Sequence, residues 1–232
     1  MWRRAAMRRH NKPMHRRSVI KSLALPMADM SASAKAAGTE LVEAAERGDL
    51  ARVAQLLDAG ADIEQRDARG RTPILAATHG KRLAVVEYLI TRGADVNAQD
   101  RQQDSAFLFA GASGQTDIVR VTLAAGADLK STNRYGGTAL IPACHYGHVE
   151  TVRLLLGTAI RIDHVNRLGW TALLEAVILG DGGRAHTDIV RLLITHGANV
   201  NLGDNQGVTP LQHAVQKQQN AIVALLRVAG AR

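Results

Sequence analysis

Apolar positions recur along this chain at helical spacing, and the helical segments themselves recur. Ala- and Leu-rich stretches open at Thr39, Thr72, Ser105, Thr138 and Thr171, which lie 33 residues apart, and a sixth opens at Thr209 after an interval of 38. Each is followed by a second stretch with apolar residues three and four apart, such as Val86, Leu89 and Ile90. That spacing lines one face of a helix. Gly60-Ala61-Asp62, Gly93-Ala94-Asp95, Gly126-Ala127-Asp128 and Gly197-Ala198-Asn199 close the second stretch in four of the units. A unit this short cannot bury its apolar face alone, so a fixed period predicts stacked units sharing one core. The reading is an all-α repeat solenoid over residues 39–232. Its helix-turn-helix units fall at about 39–66, 67–99, 100–132, 133–165, 166–203 and 204–232.

Local chemistry supports the same elements. Thr or Ser at a helix start offers an oxygen to unpaired backbone N–H groups, and proline at the next position (Pro73, Pro210) costs no helical hydrogen bond. The closing glycines fall where a helix end often needs left-handed backbone. The first unit is rich in Glu, and Gln216–Gln219 precede the last helix, which suits polar ends to the stack. Two units depart from the pattern. The fourth has Ala159-Ile160-Arg161 where Gly-Ala-Asp stands elsewhere, and the fifth carries five extra residues within Asp181-Gly182-Gly183-Arg184-Ala185.

Aromatic residues make up only 3% of the chain, which suits thin helices packed through small side chains. No apolar run approaches the roughly 18 residues of a membrane-spanning helix. The single cysteine, Cys144, excludes an intrachain disulfide and a multi-cysteine metal site, and reads as a small buried thiol on an Ala-rich face. The net charge of +8 resides in residues 1–38, while residues 39–232 are electrically balanced. A nucleic-acid surface on the repeats therefore loses its support.

Within the leader, Arg16-Arg17-Ser18-Val19-Ile20-Lys21 resembles a twin-arginine export signal. An apolar stretch, Leu23 to Met30, interrupted by Pro26 and Asp29, and Ala32-Ser33-Ala34 as a small-residue cleavage site follow it. Export to the periplasm is the expectation. The alternative is a cytoplasmic protein with a basic tail, through which it would bind nucleic acid or a membrane surface.

The openings Thr72-Pro73-Ile74-Leu75, Ser105-Ala106-Phe107-Leu108, Thr138-Ala139-Leu140-Ile141, Thr171-Ala172-Leu173-Leu174 and Thr209-Pro210-Leu211-Gln212 resemble the Thr-Pro-Leu-His signature of ankyrin repeats. The second halves agree, as in Val85-Val86 to Gly93-Ala94-Asp95-Val96-Asn97. The resemblance implies β-hairpin-like turns between units and a non-catalytic protein-binding module. Partners would engage the turn tips and the concave face of each first helix. It further implies a monomer without cofactor, metal or small-molecule substrate. Some exported bacterial ankyrin proteins support periplasmic antioxidant enzymes, which extends the expectation to such a role.

Carried onto this chain, the turn position holds Arg101, Arg134 and Arg167 in three consecutive units, with Arg69 and Arg71 one unit earlier. Tyr135, Tyr146 and Trp170 stand beside that column, and Ile178 and Leu179 add apolar area. Arg, Tyr and Trp are the residue types most common at interface hot spots. Arginine holds carboxylates with paired hydrogen bonds, so an acidic partner surface is expected.

No catalytic constellation emerges. His145 and His148 are three apart, but a Gly-His pair at this place is ordinary ankyrin sequence. Gly180-Asp181-Gly182-Gly183 lacks the Lys-Ser/Thr of a phosphate loop. Glu175 sits at a position that is usually apolar, without a second carboxylate placed for acid–base work.

Overall fold

The computed structural model describes residues 39–232; the leader and its export-signal reading lie outside them. Among the described residues, helices follow one another in six pairs. They are α1 (39–47) with α2 (Leu50–Asp58), α3 (Pro73–His79) with α4 (Leu83–Thr91), and α5 (Ala106–Ala112) with α6 (Thr116–Ala124). Then come α7 (Leu140–His145) with α8 (Val149–Leu156), α9 (Ala172–Ile178) with α10 (Arg184–Thr195), and α11 (Pro210–Gln216) with α12 (Asn220–Val228). The first helices α3, α5, α7, α9 and α11 touch in series, and the second helices form a parallel layer behind them.

One continuous apolar core runs from Leu41 to Leu226. Ile74, Phe107, Leu140 and Leu173, one per period, are at most 1% exposed. Small residues let the first helices approach closely. A Cβ added to Gly111 in α5 would lie 2.8 Å from the Ala139 Cβ. Thr122 takes a buried place that Leu89 and Leu155 hold elsewhere, and its hydroxyl donates to the Ile118 carbonyl at 2.8 Å. Burial therefore leaves no unpaired group there.

The expected caps form at Ser105, Thr171 and Thr209, whose hydroxyls accept the N–H of Leu108, Leu174 and Gln212. They do not form at Thr72 or Thr138, whose buried hydroxyls have no partner. At Thr138 the cause is Pro142, which has no N–H to give the Thr138 carbonyl. The Ile141 N–H turns to that carbonyl instead (3.2 Å), and α7 starts one residue late. Nothing in the structure explains Thr72.

The turns between pairs contain no strand among the described residues. Each is closed by its own acid or amide. Asp67, Asp100, Asn133, Asn166 and Asp204 each accept the N–H groups two and four residues ahead, at 2.8–3.1 Å. This is the Asx turn, in which a side chain mimics backbone. Four of the five turns place glycine at the left-handed position, and the Asp100 turn places Gln103 there at φ 60°.

Both irregular units continue the stack. In the fourth, α8 ends at Leu156 without a left-handed residue. The Thr158 hydroxyl donates to the Leu155 carbonyl and accepts the Ile160 N–H, and Ile160 is buried in alanine's place. In the fifth, the extra residues give a longer loop and a 12-residue α10 where α4 and α6 have nine. The loop is pinned on both sides. His186 reaches Asp181 (2.8 Å) and the His145 carbonyl (2.9 Å), while Gln219 and Lys217 donate to the Gly180 carbonyl.

Candidate functional site

The first helices and the turn tips border a groove of about 450 Å³ across the third to fifth units. Small residues open it: Ala112 stands where the neighbouring units carry His79 and His145, and Gly137 where they carry Asp104 and Trp170. Phe109, Ile141, Pro142, Leu168 and Leu179 supply its apolar lining, and Arg134, Tyr135, His145 and Tyr146 its polar and aromatic lining. Tyr135 and Tyr146 are 51% and 60% exposed, so the groove offers aromatic area directly to solvent.

Of the residues expected at a partner surface, Arg134, Tyr135, Tyr146 and Leu179 line this groove. Arg69, Arg101 and Arg167 are exposed at the turn tips outside it. The tips are tied together: the Arg101 N–H donates to the Arg69 carbonyl at 3.2 Å and the Arg167 N–H to the Tyr135 carbonyl at 2.9 Å. The Arg134 guanidinium lies 4.6 Å from the Tyr135 ring centre and donates to Gln102 Oε1 at 2.6 Å. Such stacking holds a cation over an aromatic face while leaving other donors free. Trp170 and Ile178 are half-buried and do not border the groove.

Arg71 corrects the expectation of an exposed cation. It is 4% exposed. Its Nε donates to Asp67 Oδ2 at 2.8 Å, and its two terminal nitrogens hold both Glu46 oxygens at 2.8 and 2.9 Å. The bond from Arg71 holds the Glu46 carboxyl below its usual range. Asp67 is also lowered, the hydrogen bonds from Arg71 and Arg69 outweighing its burial. One residue at a tip position faces inward because two carboxylates wait for it there.

The sequence reading missed the groove's acidic floor. Glu175 is 6% exposed and accepts from Asn166 Nδ2 at 3.0 Å; its other oxygen lies 3.7 Å from His145 Nδ1. Burial pushes its carboxyl up to about 7. Asp104, half-buried in the Asp100 turn, is pushed up to about 6 by burial and then by Asp100. Burial lowers His145, whose ring stacks on Tyr146 at 4.2 Å. The available signal was the register: Glu175 stands where Phe109 and Pro142 stand in earlier units. Cys144 is fully buried, and its thiol is pushed up by burial and by Glu175. Among the described residues no group of three or more His, Cys, Asp or Glu is placed to hold a metal ion.

Two layers of short helices, stacked with a fixed period and joined by self-closed turns, define a helical repeat scaffold. The family model for ankyrin repeats (3 copies) matches residues 10–100, 41–133, 107–184 and 181–232, and the chain belongs to the ankyrin repeat family. It is 52% identical to an ankyrin repeat domain from Acinetobacter baumannii AYE (TM-score 0.80), covering 83% of this chain and 98% of that one. Similarity to the ankyrin repeat protein EF0377 is 41% identity and TM-score 0.78, over 81% of this chain and 96% of that one. With the ankyrin repeat domain of Bcl-3, of the IkappaB protein family, it is 30% and 0.75, over 83% and 86%. YahD of Escherichia coli (strain K12), described as an ankyrin repeat protein, is 46% identical over 57 residues. The match takes in 25% of this chain and spans 28% of YahD's length. Ankyrin repeats bind protein partners and are typically non-catalytic. No described helix is long and apolar enough to cross a membrane.

Proposed function

We propose that this chain, as six repeats over 39–232, is a non-catalytic binding module. It holds a protein partner against the groove of the third to fifth repeats and the row of turn tips above it. The observation that carries this reading is the exposed aromatic and apolar lining, Tyr135, Tyr146, Leu168 and Leu179, beside three exposed arginines. A solvent-exposed concave surface of this composition suits an interface core edged by charge. Acidic side chains of the partner pair with Arg101, Arg134 and Arg167. The protein acts as a monomer exported by its leader, and supports a periplasmic enzyme.

The test is affinity capture by the purified full chain. Arg101→Glu, Arg134→Glu and Arg167→Glu together should abolish capture while leaving the melting temperature unchanged, since exposed pairs contribute little to stability. Undiminished capture by the triple variant refutes the reading. Sequencing the N-terminus of the mature protein tests export: a start near Lys35 supports it, and retention of residues 1–34 refutes it.

A further inference from the structure

At the start of each second helix, one register holds a side chain that can reach back to the preceding repeat. Arg82 Nε donates to the Glu46 carbonyl at 3.2 Å, and His148 bonds the Ala112 backbone. Gln115 turns instead to the Ser113 hydroxyl. Once the five extra residues are counted, His186 and Gln219 stand at the same register. Gln219 Nε2 donates to the Val177 and Gly180 carbonyls at 3.0 and 3.2 Å. His186 Nε2 lies 2.9 Å from the His145 carbonyl. His186 also has an acid on its other side: Nδ1 lies 2.8 Å from Oδ1 of Asp181, a residue of the insertion.

Both of these oxygens only accept. A peptide carbonyl has no proton to give, and the Gly183 N–H, then His186, hold the Asp181 carboxyl below its usual range. A neutral imidazole carries one N–H, so it can make one of the two bonds and not both; the imidazolium makes both. The other groups around the ring do not replace Asp181. From α7, His145 is lowered by burial and then by His186 itself. On α9, Glu175 is bonded to Asn166 and faces His145. From α11, Lys217 is bonded to the Ile178 and Gly180 carbonyls, and α12 opens on the neutral amide of Gln219. On α8, exposed Glu150 pairs with Arg153, and on α10 itself Arg184 and Asp188 pair with each other.

The clasp reaches the groove from two directions. The insertion leaves α9 directly after Leu179, and His145, whose carbonyl His186 holds, ends α7 just before Tyr146. His145, Tyr146 and Leu179 all line the groove, and the His145 ring stacks on Tyr146 at 4.2 Å. The geometry points to a protonation-controlled clamp: His186, as an imidazolium, ties the insertion to the end of α7 and so fixes Tyr146 relative to Leu179. Histidine is the side chain that changes charge between about pH 5 and 8. The clamp is therefore closed at the acid end of that range. As pH rises the ring loses a proton, one of its two oxygens is released, and the groove lining slackens. This holds whatever occupies the groove.

The experiment is NMR of the full, isotope-labelled chain carrying Glu175→Gln, so that the Glu175 carboxyl adds no titration of its own. At pH 6 both ring N–H protons of His186 should be visible, sheltered from exchange by their two acceptors. The Gly183 amide, which donates to Asp181 Oδ1 at 2.8 Å, reports on the insertion. Its protection, corrected for intrinsic exchange, should fall about tenfold from pH 6 to 8, the loss of one charge-assisted bond. The Tyr146 and Leu179 signals should shift in step. Asp181→Asn and His186→Gln, each added to the same background, should leave those signals nearly still across that range. Glutamine already holds this register at Gln115 and Gln219, so the second variant keeps the fold. A single ring N–H at pH 6, or Gly183 protection that ignores pH, would overturn the clamp. Tyr146 and Leu179 signals that move alike with and without the added substitutions would overturn its hold on the groove.

Discussion

Replacing Glu175 with glutamine (Glu175→Gln) removes a carboxyl whose neutral form the fold favours. The amide oxygen keeps an acceptor for Asn166 Nδ2, and the side-chain volume is nearly unchanged, so the substitution isolates the charge. The folded chain raises this carboxyl from 4.5 to about 7, chiefly by burial. Folded protein therefore binds the proton more tightly than unfolded protein, and stability falls as pH rises through that window. At roughly 1.4 kcal/mol per pH unit, ionising Glu175 costs the native protein about 3 kcal/mol by pH 8. Glu175→Gln removes that cost. The variant should match the parent at pH 4, gain progressively above pH 4.5, and level off above pH 7. For a domain of this length the plateau corresponds to a melting temperature about 6–12 °C higher. Urea denaturation at pH 4, 6 and 8 measures it directly. A variant no more stable than the parent at pH 8, or one with the same gain at pH 4, refutes the argument.

Arg71 is the converse case. Arg71→Met should destabilise by roughly 2–3 kcal/mol at pH 7, below the full cost of breaking a buried pair, because Glu46 can rehydrate and Asp67 keeps its backbone donors. The depressed carboxyls make this stabilisation present above the ordinary carboxylate range and lost as pH falls through their lowered values, so the gap between parent and variant should begin to narrow near pH 4 and close at lower pH. A difference that persists at pH 2, or none at pH 7, counts against the ion network. The Cys144 thiol should resist Ellman's reagent in the folded protein and react at the rate of unfolding, since burial suppresses the thiolate; rapid labelling without denaturant would contradict its placement.

The fold was legible because its signals repeat. Ile74, Phe107, Leu140 and Leu173 announce one buried position per period, and four helix-ending glycines mark the return of the chain. The groove was only half legible. Tyr135, Tyr146 and Leu179 could be assigned to an outer surface by register, whereas the hollow beside them depends on Ala112 and Gly137 being small, which is evident only once three units are stacked. Arg71 was misread because it was grouped with the exposed tip arginines, although at 33-residue spacing it lines up with half-buried Asp104 and buried Gly137; the two acids that draw it inward come from a helix and a turn of adjacent units. Glu175 was visible as an anomaly, but its meaning required seeing that its nearest donor is an uncharged amide. The lost cap at Thr138 likewise follows from Pro142, four residues away, and not from the threonine.

The self-closed turns have a consequence for how this surface can change over generations. Each turn is tied by its first residue to backbone N–H groups two and four residues ahead, so the side chains of the two residues after that anchor contribute nothing to its closure. Arg101 and Gln102, Arg134 and Tyr135, and Arg167 and Leu168 occupy these places. Mutation can sample these side chains one turn at a time without opening the turn, while the anchors stay in place. Partner choice and architecture are thereby written in separate letters of the same loop, and the chain can acquire a new address without learning a new shape.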